Sequence, residues 1–322
     1  MEKFFVYDDL YEIYDVVIIG AGPAGLTAGI YAARDNLKTL ILEKNYPGGQ
    51  VAITEIIENY PGFPEGISGG DLTEQMYKHA LHFGVQIKNG ECCKIDFEDN
   101  FKILTLKHQD FKIKTKAVII AAGARPKHLE VPGEPQFLGR GISFCATCDG
   151  AFYRGKTVAV IGGGDSAVEE AHYLTRFAEK VYIVHRRDKF RAAKILQDRA
   201  FANPKIEIIW NAQPIRVNGK EKVESITLLD KVKNTELELK VDGIFVFIGW
   251  IADTEHFKGL LEMDDSGFIK ADETCKTNIP GIYVAGDVRT KKLRQVVTAV
   301  SDGSMAAKSA EHYIEEFFGG NH

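Results

Sequence analysis

Apolar positions along the chain fall into two matching sets, each a short unbroken run, then glycines, then a stretch of helical period. The first run, Tyr14-Asp15-Val16-Val17-Ile18-Ile19-Gly20, leads through more glycines to the helix-like Leu26 to Arg34. Continuous β-branched residues predict a strand buried on both faces, as in parallel sheets. Lys38 to Glu43 predicts the next strand. Residues 46 to 70 carry Pro47, Gly48, Gly49, Pro61, Gly62, Pro64, Gly66, Gly69 and Gly70, so loops are expected over the sheet's carboxyl edge. From Asp71 a helix is expected, with Leu72, Met76, Ala80 and Phe83 near one face and its end before Gly84. Short alternating segments between Cys92 and Ile120 predict an antiparallel meander, and Ala117 to Gly123 a buried strand.

The second set opens with Thr157 to Ile161 and passes through glycines to a helix from Val168 to about Phe177 and a strand from Lys180 to Val184. Further strand-like pieces fill Ile206 to Lys240, and Gly243 to Gly249 leads out of this set. Thr277 to Asp287 predicts a closing strand, and Gln295 to about Phe318 a helix. The repeat predicts an α/β protein with two Rossmann-like, three-layer ββα dinucleotide-binding domains. Residues 1–122 and 246–322 would form one, with 123–245 inserted between them.

Composition adds bounds. A chain of 322 residues is long for one domain, and 45% apolar with 26% charged residues suits a soluble globular protein. A net charge of -5 offers no platform for nucleic acid. No apolar run nears the roughly 20 residues that span a membrane, and the first fifteen residues are too acidic for a secretory leader. Five cysteines, an odd and low count, argue for a reducing compartment, so the expected location is cytoplasmic.

Three constellations carry chemistry. Cys145-Ala146-Thr147-Cys148-Asp149-Gly150 places two thiols where they can close a small disulfide ring at a helix start, whose amides stabilise a thiolate. A structural zinc needs four ligands, and no second CxxC or CxxH lies nearby, so no metal is expected. Gly20-Ala21-Gly22-Pro23-Ala24-Gly25 stands between strand and helix, where the glycines make the turn, admit a pyrophosphate and let helix and strand pack. Glu43 ends the following strand and suits an unphosphorylated ribose, as in FAD or NAD. Gln50, Thr54 and Asn59 stand in loops where a flavin ring or only solvent would meet them, and a strand ending in Gly286-Asp287 can aim a carboxylate at a ribityl hydroxyl. In the second set Gly162, Gly164 and Ala167 form a GxGxxA fingerprint, but no acid ends the next strand. Arg186, Arg187 and Arg191 follow it instead, which suits the 2′-phosphate of NADPH.

Together GAGPAG, GGQ (Gly48 to Gln50), ENYPG (Glu58 to Gly62), CATCDG, GGGDSA, HRRDKFRA and the late AGDV with Arg294-Gln295 resemble the low-molecular-weight, bacterial-type thioredoxin reductases over essentially the whole chain. The resemblance implies a homodimer that reduces thioredoxin with electrons passed from NADPH through FAD. It implies that Gly20, Gly22, Gly25, Glu43, Gln50, Asn59, Gly286, Asp287, Arg294, Gln295 and Val296 hold FAD. Gly162, Gly164, Ala167, Arg186, Arg187 and Arg191 would hold NADPH. Cys148 would be the flavin-side sulfur and Cys145 the one that attacks the partner, with Asp149 an acid or, equally, a helix cap. Because the dithiol and the NADPH fingerprint share the inserted unit, that unit is expected to rotate, hinged near residues 122–126 and 242–248.

The chain also departs from the family pattern. Ala121-Ala122-Gly123 replaces Ala-Thr-Gly, and Ala252-Asp253-Thr254 replaces Pro-Asn-Thr. The lead-in from Met1 to Ile13 is longer than usual. Alternative readings are a ferredoxin or flavodoxin NADP reductase, which needs no dithiol, and a flavin-binding redox sensor.

Overall fold

The computed structural model describes residues 13–54, 56–108 and 112–319. The lead-in before Ile13 lies outside the described residues. The chain forms two compact units, one of residues 1–125 and 251–322, the other of residues 126–250.

The first unit opens with β1 (Ile13–Ile19), α1 (Pro23–Arg34), β2 (Thr39–Glu43), α2 (Gly69–His82), β3 (Gln86–Asn89), β4 (Cys92–Glu98), β5 (Phe101–Leu106) and β6 (Lys112–Ile120). Strands β3, β2, β1 and β6 are parallel neighbours in that order. The sequence reads the end of the meander and the Ala117 strand as separate pieces, but they are one nine-residue strand. Its first half alternates and pairs antiparallel with β5; its last four residues are fully buried. The change of pattern marks a change of neighbour rather than a chain break.

The chain then enters the second unit through β7 (Ala124–Pro126) and forms α3 (Glu134–Phe137), β8 (Ile142–Ser143), α4 (Ala146–Asp149), β9 (Thr157–Gly162), α5 (Asp165–Leu174), β10 (Lys180–Val184), α6 (Lys194–Phe201) and β11 (Ile206–Ile209). Next come β12 (Ala212–Gly219), β13 (Val223–Asp230), β14 (Thr235–Lys240) and β15 (Gly243–Phe247). A parallel sheet runs in the order β11-β10-β9-β15-β8, beside an antiparallel sheet of β12, β13 and β14. Because β15 pairs with β9 over five residues, the unit continues past residue 245 and ends at Trp250. The segment 242–248 is thus largely sheet.

The return to the first unit runs through β16 (Trp250–Ala252) to β17 (Ile282–Val284) and α7 (Val296–Phe318). The expected long closing strand shrinks to three residues, which pair in parallel with the last three of β6. Helices α1 and α7 pack closely because Gly303 has no side chain: a Cβ there would sit 2.2 Å from the Ala24 carbonyl oxygen. Among the described residues no helix is long and apolar enough to cross a membrane.

One charged side chain lies in this core. Lys102 on β5 is 2% exposed, and its Nζ donates to the carbonyls of Asn100 (3.1 Å) and Lys116 (2.9 Å) and to the Tyr313 hydroxyl (2.8 Å), tying α7 to the meander. Burial lowers its pKa from 10.5 to about 8. Between these values the unfolded chain holds more protons than the folded one, so this lysine's contribution to stability rises with pH. Cys275 and Tyr283, whose pKa values burial raises, act in the opposite sense. The check is therefore comparative: from pH 7.5 to pH 9.5 the urea midpoint of the natural chain should rise relative to that of Lys102→Met, in which those other groups cancel.

Candidate redox and nucleotide-binding sites

In the second unit α4 begins at the cysteine pair. Cys145 is its N-cap, with Sγ accepting the Cys148 N–H at 3.2 Å, and the two sulfurs form a disulfide. The arrangement follows from spacing, since a two-residue gap across one helical turn puts both sulfurs on the same end. The disulfide and Asp149 are partly exposed. Asp149 Oδ2 accepts a hydrogen bond from Ser143 Oγ at 2.5 Å, and the Cys145 N–H donates to the same hydroxyl at 3.1 Å. Ser143, at the end of β8, thus links the carboxylate to the start of the redox turn. Nothing local in the sequence marks that role.

The fingerprint of the same unit lies between β9 and α5. Gly162 adopts φ +154, and a Cβ there would meet the Phe247 carbonyl oxygen at 2.5 Å and the Ala167 methyl at 2.6 Å. A Cβ on Gly163 would lie 2.3 Å from the His185 ring, so the middle glycine lets that buried imidazole cover the turn. Above Gly164 there is open space, and α5 carries no side-chain cap there. A phosphate has both room and helix N–H groups. The Arg191 N–H donates to the Gly163 carbonyl at 2.8 Å, and Asp165 Oδ1 receives the Ala193 N–H at 2.7 Å, which pins the arginine loop to the turn. Arg186, Arg187 and Arg191 are exposed and make no ion pair among the described residues. On the adjoining helix, burial raises the pKa of Glu170 to about 7.

In the first unit a Cβ on Gly25 would lie 1.9 Å from the Gly20 carbonyl oxygen, whereas for Gly22 the nearest neighbour is the Gly49 Cα at 4.0 Å. Gly25 is required by packing, and Gly22 leaves space at the uncapped start of α1. The Glu43 carboxylate is fixed at the turn by the N–H groups of Ala21 (2.7 Å) and Asn45 (2.9 Å). Each oxygen keeps a second lone pair for a ribose hydroxyl. The Gly48 N–H donates to the Ala21 carbonyl at 2.8 Å, bringing the Gly48 to Gln50 turn onto the fingerprint. Gln50 itself is exposed.

At the far end of this unit Asn59 Nδ2 donates to Gln295 Oε1 at 3.0 Å, across 236 positions. Gln295 and Thr298 form a capping box at the start of α7; the N–H groups of Val296 and Val297 have no acceptor within the helix. Asp287, in a short turn from Gly286 (φ +78), keeps Oδ1 buried without a hydrogen-bond partner. Burial raises its pKa to about 6, against the opposing pull of Lys291 and Arg294. A buried oxygen of this kind is what a ribityl hydroxyl would satisfy. Arg294 stacks over Phe268, 4.2 Å from the ring centroid. Asp302 on α7 holds the segment in place, receiving the Gly286 N–H (3.0 Å), Arg289 Nη1 (3.3 Å) and Lys291 Nζ (2.7 Å). The motifs give no hint of Asp302. The other thiols, Cys92, Cys93 and Cys275, are free.

Residues 14–303 match the family described as pyridine nucleotide-disulphide oxidoreductase. The chain is 49% identical over 306 residues to a thioredoxin reductase of Bacillus subtilis (strain 168), covering 95% of this chain and 96% of that protein. It is 48% identical over 307 residues to one from Listeria innocua, with 95% of each chain covered. A thioredoxin reductase structure from Streptococcus pyogenes superposes with a TM-score of 0.90 at 45% identity, over 95% of this chain and 99% of that one.

Proposed function

We propose, from the premise that this chain belongs to the pyridine nucleotide-disulphide oxidoreductases and within them to the low-molecular-weight thioredoxin reductases, that it reduces the disulfide of thioredoxin or a thioredoxin-like protein at the expense of NADPH. The observation that carries the reading is the Cys145–Cys148 disulfide seated at the start of α4, one strand ahead of a glycine turn to which an arginine loop is pinned.

The first unit would hold FAD. Gly20 and Gly22 would receive the pyrophosphate on a turn that Gly25 lets close, Glu43 the ribose, Asp287 with Gly286 the ribityl chain, and Gln50, Asn59, Arg294, Gln295 and Val296 the ring end. The second would hold NADPH on Gly162, Gly164 and Ala167, with Arg186, Arg187 and Arg191 on its 2′-phosphate. When bound, the flavin relays the hydride electrons of NADPH to the disulfide.

The chain's own groups do the rest. Once the pair is reduced, the Cys148 N–H and the start of α4 stabilise a thiolate at Cys145. That thiolate attacks the partner's disulfide, joining Cys145 Sγ to one partner sulfur and expelling the other as a thiolate. Cys148 Sγ then attacks Cys145 Sγ, re-forms the internal disulfide and releases the partner's second sulfur. Asp149, held by Ser143, would pass a proton to a departing sulfur in this reading. The free thiols of Cys92, Cys93 and Cys275 support a cytoplasmic setting, and a homodimer completes the reading.

Anaerobic titration tests it: NADPH should bleach the yellow protein, and an oxidised thioredoxin should restore the colour. Bleaching without recovery overturns the reading. Arg186→Ala with Arg187→Ala should lower the preference for NADPH over NADH by more than about 100-fold, since each charge-assisted phosphate contact contributes roughly 1.5 kcal/mol or more. The ratio of kcat/KM for the two nucleotides measures it.

A further inference from the structure

Beyond the tip of β2 the first unit holds a pocket whose walls include Gly20, Glu43, Lys44, Glu91, Asp253 and His256. Its inner wall is the glycine turn and the Glu43 carboxylate, which in a strand-turn-helix site take pyrophosphate and ribose. On the reading that this unit holds FAD, the remaining walls would hold its adenosine end. Lys44 Nζ and Asp253 Oδ2 form an ion pair, joining segments 209 positions apart at the pocket's solvent edge. Both side chains are 42% exposed.

The backbones on either side are fixed. Asn89 Nδ2 donates to the carbonyls of Glu43 (3.2 Å) and Lys44 (3.3 Å). The Asp253 N–H donates to the Gly123 carbonyl at 3.3 Å, and the next residue, Thr254, is buried with Oγ1 bonded to the Gly267 carbonyl at 2.7 Å. The ion pair can therefore part by side-chain rotation alone, with neither backbone moving. A pair this exposed adds little to folding stability.

We infer that Lys44 and Asp253 form a clasp over the adenosine end of bound FAD and set how slowly the cofactor leaves. The clasp rests on the proposed flavin site and adds to it a retention device made of this chain's own charges. Lys44 also lowers the pKa of Glu91 across the pocket, although Lys107 is the larger influence there, and Glu91 faces His256 at 3.7 Å.

The FAD-loaded full-length chain, diluted into flavin-free buffer, reports release as a rise in flavin fluorescence. Asp253→Asn and Lys44→Met should each speed release about 5-fold, and the double variant no more than either alone. The swapped pair, Lys44→Asp with Asp253→Lys, should restore slow release. Raising salt should speed release from the natural chain but not from the single variants. Natural release rates in both single variants, or additive effects in the double, overturn the clasp while leaving the flavin site standing. A natural chain that takes up no flavin overturns both.

Discussion

Cys145→Ser and Cys148→Ser chains should bind flavin and be bleached by NADPH as the natural chain is, yet reduce a disulfide protein roughly 10^4-fold more slowly or worse. The size of the effect follows from the chemistry: an alkoxide is not available near neutral pH, and turnover needs both sulfurs, one to attack the partner and one to resolve the mixed disulfide. The two variants should also differ from one another. Cys148→Ser keeps the thiol whose thiolate the position-148 N–H supports. It should attack an oxidised partner and stop there, because no second sulfur remains to release it. A mixed disulfide that survives a non-reducing gel is therefore expected for Cys148→Ser and not for Cys145→Ser. Undiminished partner reduction in either variant would point instead to a flavoenzyme that needs no dithiol.

Gly25→Ala should cost about 3 kcal/mol or more of stability and yield a colourless chain. Its added carbon would sit 1.9 Å from the Gly20 carbonyl oxygen and 3.0 Å from the carbonyl carbon. Both are backbone atoms, so no rotamer change relieves the clash, and relief requires separating β1 from α1. Gly22→Ala is the control. Its nearest neighbour is 4.0 Å away, so the fold should stay within about 1 kcal/mol of the natural chain while the pyrophosphate loses its close approach. Denaturant melts of the flavin-free chains, set beside the visible absorbance after reconstitution, separate the two outcomes. Equal loss of stability in both would mean that the turn has no packing requirement distinct from its binding role.

Much of this architecture is local in origin, which is why it can be read along the chain. In β1-α1-β2 and again in β9-α5-β10 a buried strand, a glycine turn and a helix follow within about thirty residues, and Gly20, Gly25, Gly162 and Gly163 each answer a close contact made within the same unit. The redox turn is local too, since Cys145 caps the helix that contains Cys148. What stays hidden is set by distant partners. The union of two apparent strands into β6 depends on β5 and β17 meeting different halves of it. The second unit extends past residue 245 because β15 finds β9. The supports of the candidate site, Ser143 under Asp149, Asp302 under Gly286 and Lys44 against Asp253, have no period or motif. Asp253 alone left a trace, as a departure from a familiar pattern.

The order of the pieces has a consequence for synthesis. Residues 126–250 are contiguous, so that unit has all its strands in hand well before translation ends. The other unit must wait for β17, which borders β6, and for α7, which covers α1, so its sheet stays incomplete until the whole of residues 126–250 has been made. A growing chain therefore carries a finished second unit while the first still lacks a strand of its sheet and the helix that covers α1.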